Sequence, residues 1–243
     1  MVLEHDLNSS DETRRQRRLT VVDLFCGAGG LSVGLRRAGY ETVYAADKFK
    51  PAVKTYNRNF EHQAHFEVLD WDSSLPSADV IVGGPPCHGF SSAGRRAPGD
   101  ARNSLVAVFA HLVALHRPQA FLFENVEGFL TGDRGRWVVD LLEPLVDAGY
   151  CMHLQKVNAA NYGVPQHRKR VLAVGGLGWD PGFPFPTHST SGMPGAELVG
   201  NGLPHCPSVM EALEGLPPAV VRVSRKHHPL DHDYRAPSDA DKA

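Results

Sequence analysis

Short apolar runs closed by glycine or polar turns alternate with stretches whose apolar residues lie three and four apart, from Leu19 to Gly178. Leu19 to Phe25 has the length and content of a buried strand and runs straight into Cys26-Gly27-Ala28-Gly29-Gly30. Beyond the glycines, Leu31, Gly34, Leu35 and Ala38 share one face of a helix that stops at Gly39, since a 3.6-residue turn brings such positions together. Thr42 to Ala46 reads as a second strand. Pro51, whose missing N–H costs nothing in a first turn, opens the helix after it. Phe66 to Leu69 and Asp79 to Val82 are two further strands. Leu105, Val106, Phe109, Leu112 and Val113 form a helical stripe ending before Pro118, and Gln119 to Phe123 is again a strand. Trp137, Leu141 and Leu145 mark a helix closing at Gly149, which Pro144 is expected to kink or split. Cys151 to Val157 and Arg170 to Val174 supply the last strands. Such alternation predicts an α/β fold with a doubly wound, mostly parallel sheet.

The ends break the pattern. Residues 1–18 are polar and include Arg14, Arg15, Arg17 and Arg18, which reads as a solvated, disordered basic tail. After Gly178, prolines, glycines and histidines accumulate. Residues 179–243 therefore read as a partial, loop-rich second lobe with one short helix at Ser208–Leu213, leaving 19–178 as the regular domain.

Composition narrows the function classes. A 243-residue chain with 42% hydrophobic residues can bury a sizeable core. It has no apolar run of membrane-spanning length and a polar N-terminus, so the expected location is cytosolic. Cys26, Cys87, Cys151 and Cys206 lie far apart without zinc-ligand spacing, which predicts free thiols and no metal. His205, His227, His228 and His232 near Cys206 are too irregularly spaced to change that. The net charge of −2 gives no bulk attraction for nucleic acid, so any such contact must come from local patches or a partner.

Open α/β sheets bind ligands beside the first strand–helix turn. There Gly27, Gly29 and Gly30 let a ligand approach the backbone. Asp47 at the end of the second strand is placed to accept ribose hydroxyls, and Asp70 at the end of the third to meet an adenine edge. Ser32 stands where a dinucleotide fingerprint carries Gly or Ala, which favours a nucleoside cofactor without pyrophosphate. The sharpest feature is Asp79-Val80-Ile81-Val82-Gly83-Gly84-Pro85-Pro86-Cys87, a strand entering a stiff turn with a thiol immediately beyond it. Glu124-Asn125 closes another strand, and Arg168 and Arg170 point the same way if their segment is extended.

Taken together, Asp23-Leu24-Phe25-Cys26-Gly27-Ala28-Gly29-Gly30, Gly83-Gly84-Pro85-Pro86-Cys87, Glu124-Asn125-Val126 and Gln166-His167-Arg168-Lys169-Arg170 resemble the cytosine-C5 DNA methyltransferase family in content and order. Weaker matches are 100–105, Asn158-Ala159 and 185–188, and the resemblance runs from about Leu19 to Pro218. It implies an S-adenosylmethionine pocket lined by Phe25, Asp47, Asp70, Trp71 and Leu105, with Gly27, Gly29, Gly30, Lys48 and Pro85 beside them. It further implies Cys87 as nucleophile, Glu124 as the acid at pyrimidine N3, and Arg168 and Arg170 as base and phosphate contacts. His88, Ser91, Asn125 and Gln166 fall on the side of a flipped-out cytosine in DNA.

Two departures stand out. His88 replaces the glutamine usual after the nucleophile, and the target-recognition region and closing motifs of the family do not appear. The favoured assignment is one part of a split or truncated DNA methyltransferase whose target recognition comes from a second polypeptide. The alternatives are a stand-alone enzyme acting on RNA or a free pyrimidine nucleotide, and a non-catalytic relic of the fold.

Overall fold

The computed structural model describes residues 17–86, 104–190 and 202–216. Cys87, His88, Ser91, the tail through residue 16 and much of the proposed second lobe lie outside the described residues. The chain divides into two compact units, Met1–Pro207 and Ser208–Ala243.

The first unit is built on a seven-stranded sheet in the order β3-β2-β1-β4-β5-β7-β6. The strands are β1 (Thr20–Leu24), β2 (Glu41–Asp47), β3 (His65–Phe66), β4 (Val80–Gly83), β5 (Ala120–Val126), β6 (Tyr150–Asn158) and β7 (Lys169–Leu177). The first five run parallel, and β7 enters antiparallel between β5 and β6. The helices are α1 (Gly30–Arg37), α2 (Lys50–Asn59), α3 (Ser104–His116) and α4 (Arg136–Asp147). The α/β class and the mostly parallel sheet therefore stand as the alternation indicated.

Two apolar clusters hold the layers. Val22, Leu24, Ile81, Phe109, Phe121, Phe123, Phe129, Leu141 and Leu145 form the larger one. Cys26, Ala45, Val53, Tyr56, Phe60 and Ala64 form the second, under α2. Along β5 the two-residue period buries Phe121, Phe123 and Asn125 and leaves Leu122, Glu124 and Val126 on the other, half-buried side. A polar clasp fixes the sheet's base. The Asp79 carboxylate accepts Thr20 N–H at 2.7 Å, Thr20 Oγ1 at 2.8 Å and Arg17 at 2.6 Å.

Several local readings change. The strand expected over Phe66–Leu69 is the two-residue β3, because β2 offers only Ala46 and Asp47 as partners and the last ladder bond is Glu67 N–H to Asp47 O. Asp70 accordingly sits in a turn, not at a strand end. Its Oδ1 accepts Asp72 N–H at 3.1 Å and Ser73 Oγ at 3.0 Å. Helix α4 continues past Pro144 to Asp147 instead of splitting there. Strand β7 begins at Lys169, so Arg170 lies within it and Arg168 immediately precedes it.

In the second unit, α5 (Val209–Leu213) has a reciprocal cap. Ser208 Oγ accepts Glu211 N–H at 3.2 Å, and Glu211 Oε2 accepts Ser208 N–H at 2.6 Å.

Candidate active site

Two groups of residues meet at the carboxyl edge of the parallel strands. The first surrounds the turn after β1. Phe25 takes a left-handed backbone with φ 57°, followed by Gly27 at 55° and Gly29 at 95°. A non-glycine residue at positive φ is strained, and such strain gathers at ligand sites. The turn is pinned from two sides. Cys26 N–H donates to Ala46 O at 3.1 Å, and Gly27 N–H donates to Asp47 Oδ2 at 3.0 Å. Gly29 also presses onto the end of α2, where a Cβ would fall 2.4 Å from the ring of Phe60, the residue that caps the helix, and 2.9 Å from that of Tyr56.

Beneath the turn lies a polar chain that the sequence reading did not single out. Tyr56 OH donates to Ser32 Oγ at 3.0 Å, and Ser32 Oγ donates to Asp23 Oδ2 at 2.5 Å. Asp23 is fully buried and its Oδ1 has no partner among the described residues. Burial pushes its carboxyl up to about 7, opposed by the bonds from Ser32. The available signal was an acid inside an otherwise apolar strand. Burial likewise drives the Cys26 thiol well above its ordinary range, with Asp23 and Asp47 adding to the effect, so that thiol is inert.

The residues present fit a nucleoside. The Asp47 carboxylate has one backbone donor on each oxygen, Gly27 N–H on Oδ2 and Phe49 N–H at 2.7 Å on Oδ1. Each oxygen keeps a lone pair for a ribose hydroxyl. Trp71 is half-exposed and its ring lies 4.8 Å from that of His111 on α3. Phe25 and Leu105 are half-buried, Lys48 is exposed, and Pro85 is buried.

The second group spans β4, β5 and β7. Gly84, just past β4, lies against Glu124: a Cβ there would stand 3.1 Å from Glu124 Oε2. Arg170 Nε pairs with Glu124 Oε1 at 2.8 Å. The structure thus brings together Gly84, Glu124 and Arg170, and Pro86 leads from this turn into Cys87. Asn125 turns away from that surface. It is 1% exposed, its Oδ1 accepts Val126 N–H at 2.8 Å, and its Nδ2 has no partner among the described residues. Gln166 and Arg168 are exposed. Among the described residues no group of three or more His, Cys, Asp or Glu could hold a metal ion.

Residues 19–185 match the model of the C-5 cytosine-specific DNA methylases. The chain belongs to this family. The Type II methyltransferase M.AgeI of Thalassovita gelatinovora is 34% identical over 88% of the chain and 54% of its own length. The Type II methyltransferase M1.HphI of Haemophilus parahaemolyticus is 35% identical over 79% and 54%. The chain spans about half the length of these curated relatives. An E. coli prophage protein described as a DNA modification methyltransferase superposes with a TM-score of 0.65 at 30% identity, covering 83% of this chain and 56% of that one. The Dnmt2 methyltransferase of S. pombe, 21% identical with a TM-score of 0.54 over 69% of this chain, shares the fold. The mostly parallel seven-stranded sheet is thus the fold shared with these methyltransferases.

Proposed function

We propose that this chain carries the catalytic part of a DNA cytosine-C5 methyltransferase of the restriction–modification type, acting through a covalent bond between Cys87 and C6 of a flipped-out cytosine. The observation that carries the reading is the contact of Gly84 and Arg170 with Glu124, because it sets an acid and a guanidinium beside the turn that delivers a thiol.

S-adenosylmethionine, held by Phe25, Gly27, Asp47, Trp71 and Leu105, would supply an electrophilic methyl group. Cytosine C5 is too weakly nucleophilic to take it unaided. Addition of the Cys87 thiolate at C6, with Glu124 holding the proton at N3, makes C5 an enamine carbon. Arg170 orients the Glu124 carboxyl and offsets negative charge developing on the ring. After transfer, loss of the C5 proton expels the thiol and restores aromaticity. Flipping the base out of a duplex costs about a few kcal/mol, which contacts outside this chain help to meet. In this reading, target recognition comes from a second polypeptide.

The test is a duplex containing 5-fluorocytosine, offered with S-adenosylmethionine to the full chain alone and with a candidate partner chain. Fluorine cannot leave as the proton does, so the adduct should persist and map to the peptide carrying Cys87. Absence of adduct under both conditions, or attachment at another cysteine, defeats the assignment. Trapping only on RNA moves the substrate.

A further inference from the structure

Asn158 closes β6, is 1% exposed, and has every polar side-chain atom engaged. Its Oδ1 accepts Ala160 N–H at 3.2 Å and Arg168 N–H at 3.1 Å. Two backbone donors require an oxygen, so the amide is fixed one way round, and Nδ2 is the end that meets His167 Nδ1 at 3.0 Å. An NH2 group donates. Nδ1 therefore accepts, and the neutral ring keeps its proton on Nε2.

The same amide fixes the neighbouring backbone. Ala159 N–H donates to Arg168 O at 3.0 Å while Arg168 N–H is held by Asn158. His167 and Arg168 are both exposed and lead directly into β7, whose Arg170 meets Glu124. Because β7 runs against β5, its first residues lie at the end of β5 that carries Glu124. No described residue partners His167 Nε2.

We infer that His167 is a nucleic-acid contact, a neutral Nε2–H donor set by Asn158 and offered to a backbone phosphate oxygen beside the reacting base. The inference rests on the DNA reading above. A phosphate is the acceptor of choice because the donor is followed by the cations Arg168 and Lys169.

Two measurements on the full chain test it. Long-range proton–nitrogen spectra of histidine-labelled protein, assigned with His167→Phe, should show His167 protonated on Nε2 and bare on Nδ1. In duplex binding across a salt series, His167→Phe should weaken affinity by about 2- to 10-fold with an unchanged salt slope, whereas Arg168→Gln should reduce the slope by about 1. An Nδ1–H tautomer, wild-type affinity in His167→Phe, or a slope change in that variant each overturns the inference. Failure of the unaltered chain to retain duplex, both alone and with a candidate partner chain, overturns the contact together with the DNA reading, while affinity lost only in Arg168→Gln overturns the contact alone.

Discussion

Glu124 and Arg170 form an ion pair, Oε1 to Nε at 2.8 Å, although neither stands opposite the other in the sheet. Glu124 is paired with Leu172, and Arg170 with Val126. The contact is thus the diagonal one between neighbouring antiparallel strands, within reach only of long side chains. Both side chains are 22–30% exposed, which makes this pair an orienting device more than a source of stability.

Removing the acid therefore should separate chemistry from folding. Glu124→Gln keeps the shape, removes the proton carrier proposed above, and should lower methyl transfer to DNA by about 100-fold or more. Cofactor affinity by calorimetry and the melting temperature should stay near those of the unaltered chain. A variant that retains activity would remove Glu124 from the mechanism.

Gly84 tests the same geometry from below. A methyl group there would lie 3.1 Å from Glu124 Oε2, so the flexible end of Glu124 must shift by a few tenths of an ångström. Gly84→Ala should fold normally and lose about 10-fold in kcat, since small misplacements of a catalytic group are costly. Equal losses in cofactor affinity would indicate a wider disturbance.

How much of this was legible beforehand depends on whether the signal was local. The β1 strand and its turn were readable because an apolar run meets glycines, and Gly27 and Gly29 do take positive φ. The length of β3 was not, because it is set by where β2 ends, at Asp47 opposite Phe66, a property of another segment. The meeting of Glu124 with Arg170 was also hidden. Alternating elements suggest parallel neighbours, whereas β7 inserts antiparallel beside β5. The missing helix between β6 and β7 was the available clue: only a short 3-10 turn, Ala159–Tyr162, lies there. Asn125 sits beside Glu124 in sequence, yet the strand period buries it.

Gly29 and its neighbour offer an internal control for the turn. Gly29 combines φ 95° with a Cβ position 2.4 Å from Phe60, while a Cβ at Gly30 meets no described atom within 4 Å and its φ is not positive. Gly29→Ala should destabilise the protein by about 3 kcal/mol through strain and overpacking. Gly30→Ala should be neutral or stabilising by about 0.5 kcal/mol. Urea unfolding of both variants checks the contrast; similar midpoints would mean that the turn does not press on α2.

Asp23 should leave its mark on the pH dependence of stability. Its carboxyl is raised from 3.8 to about 7 in the folded chain, chiefly by burial. Between those values the folded state binds a proton that the unfolded chain has released. Its contribution is therefore complete below 3.8 and is lost as pH rises through about 7. Asp79 has the opposite sign: its carboxyl is lowered by Thr20 and Arg17, and its contribution is lost as pH falls. Asp23→Asn removes the first effect and leaves the second, which cancels when variant and parent are compared at one pH. Relative to the parent, the variant should gain about 3 kcal/mol in unfolding free energy between pH 5 and pH 8. The unpartnered Oδ1 agrees with this, because a buried neutral acid tolerates a missing donor better than a buried anion does. A difference between the two proteins that stays constant from pH 5 to pH 8 would show that Asp23 is ionised throughout, and the chain from Tyr56 through Ser32 would then be serving an anion.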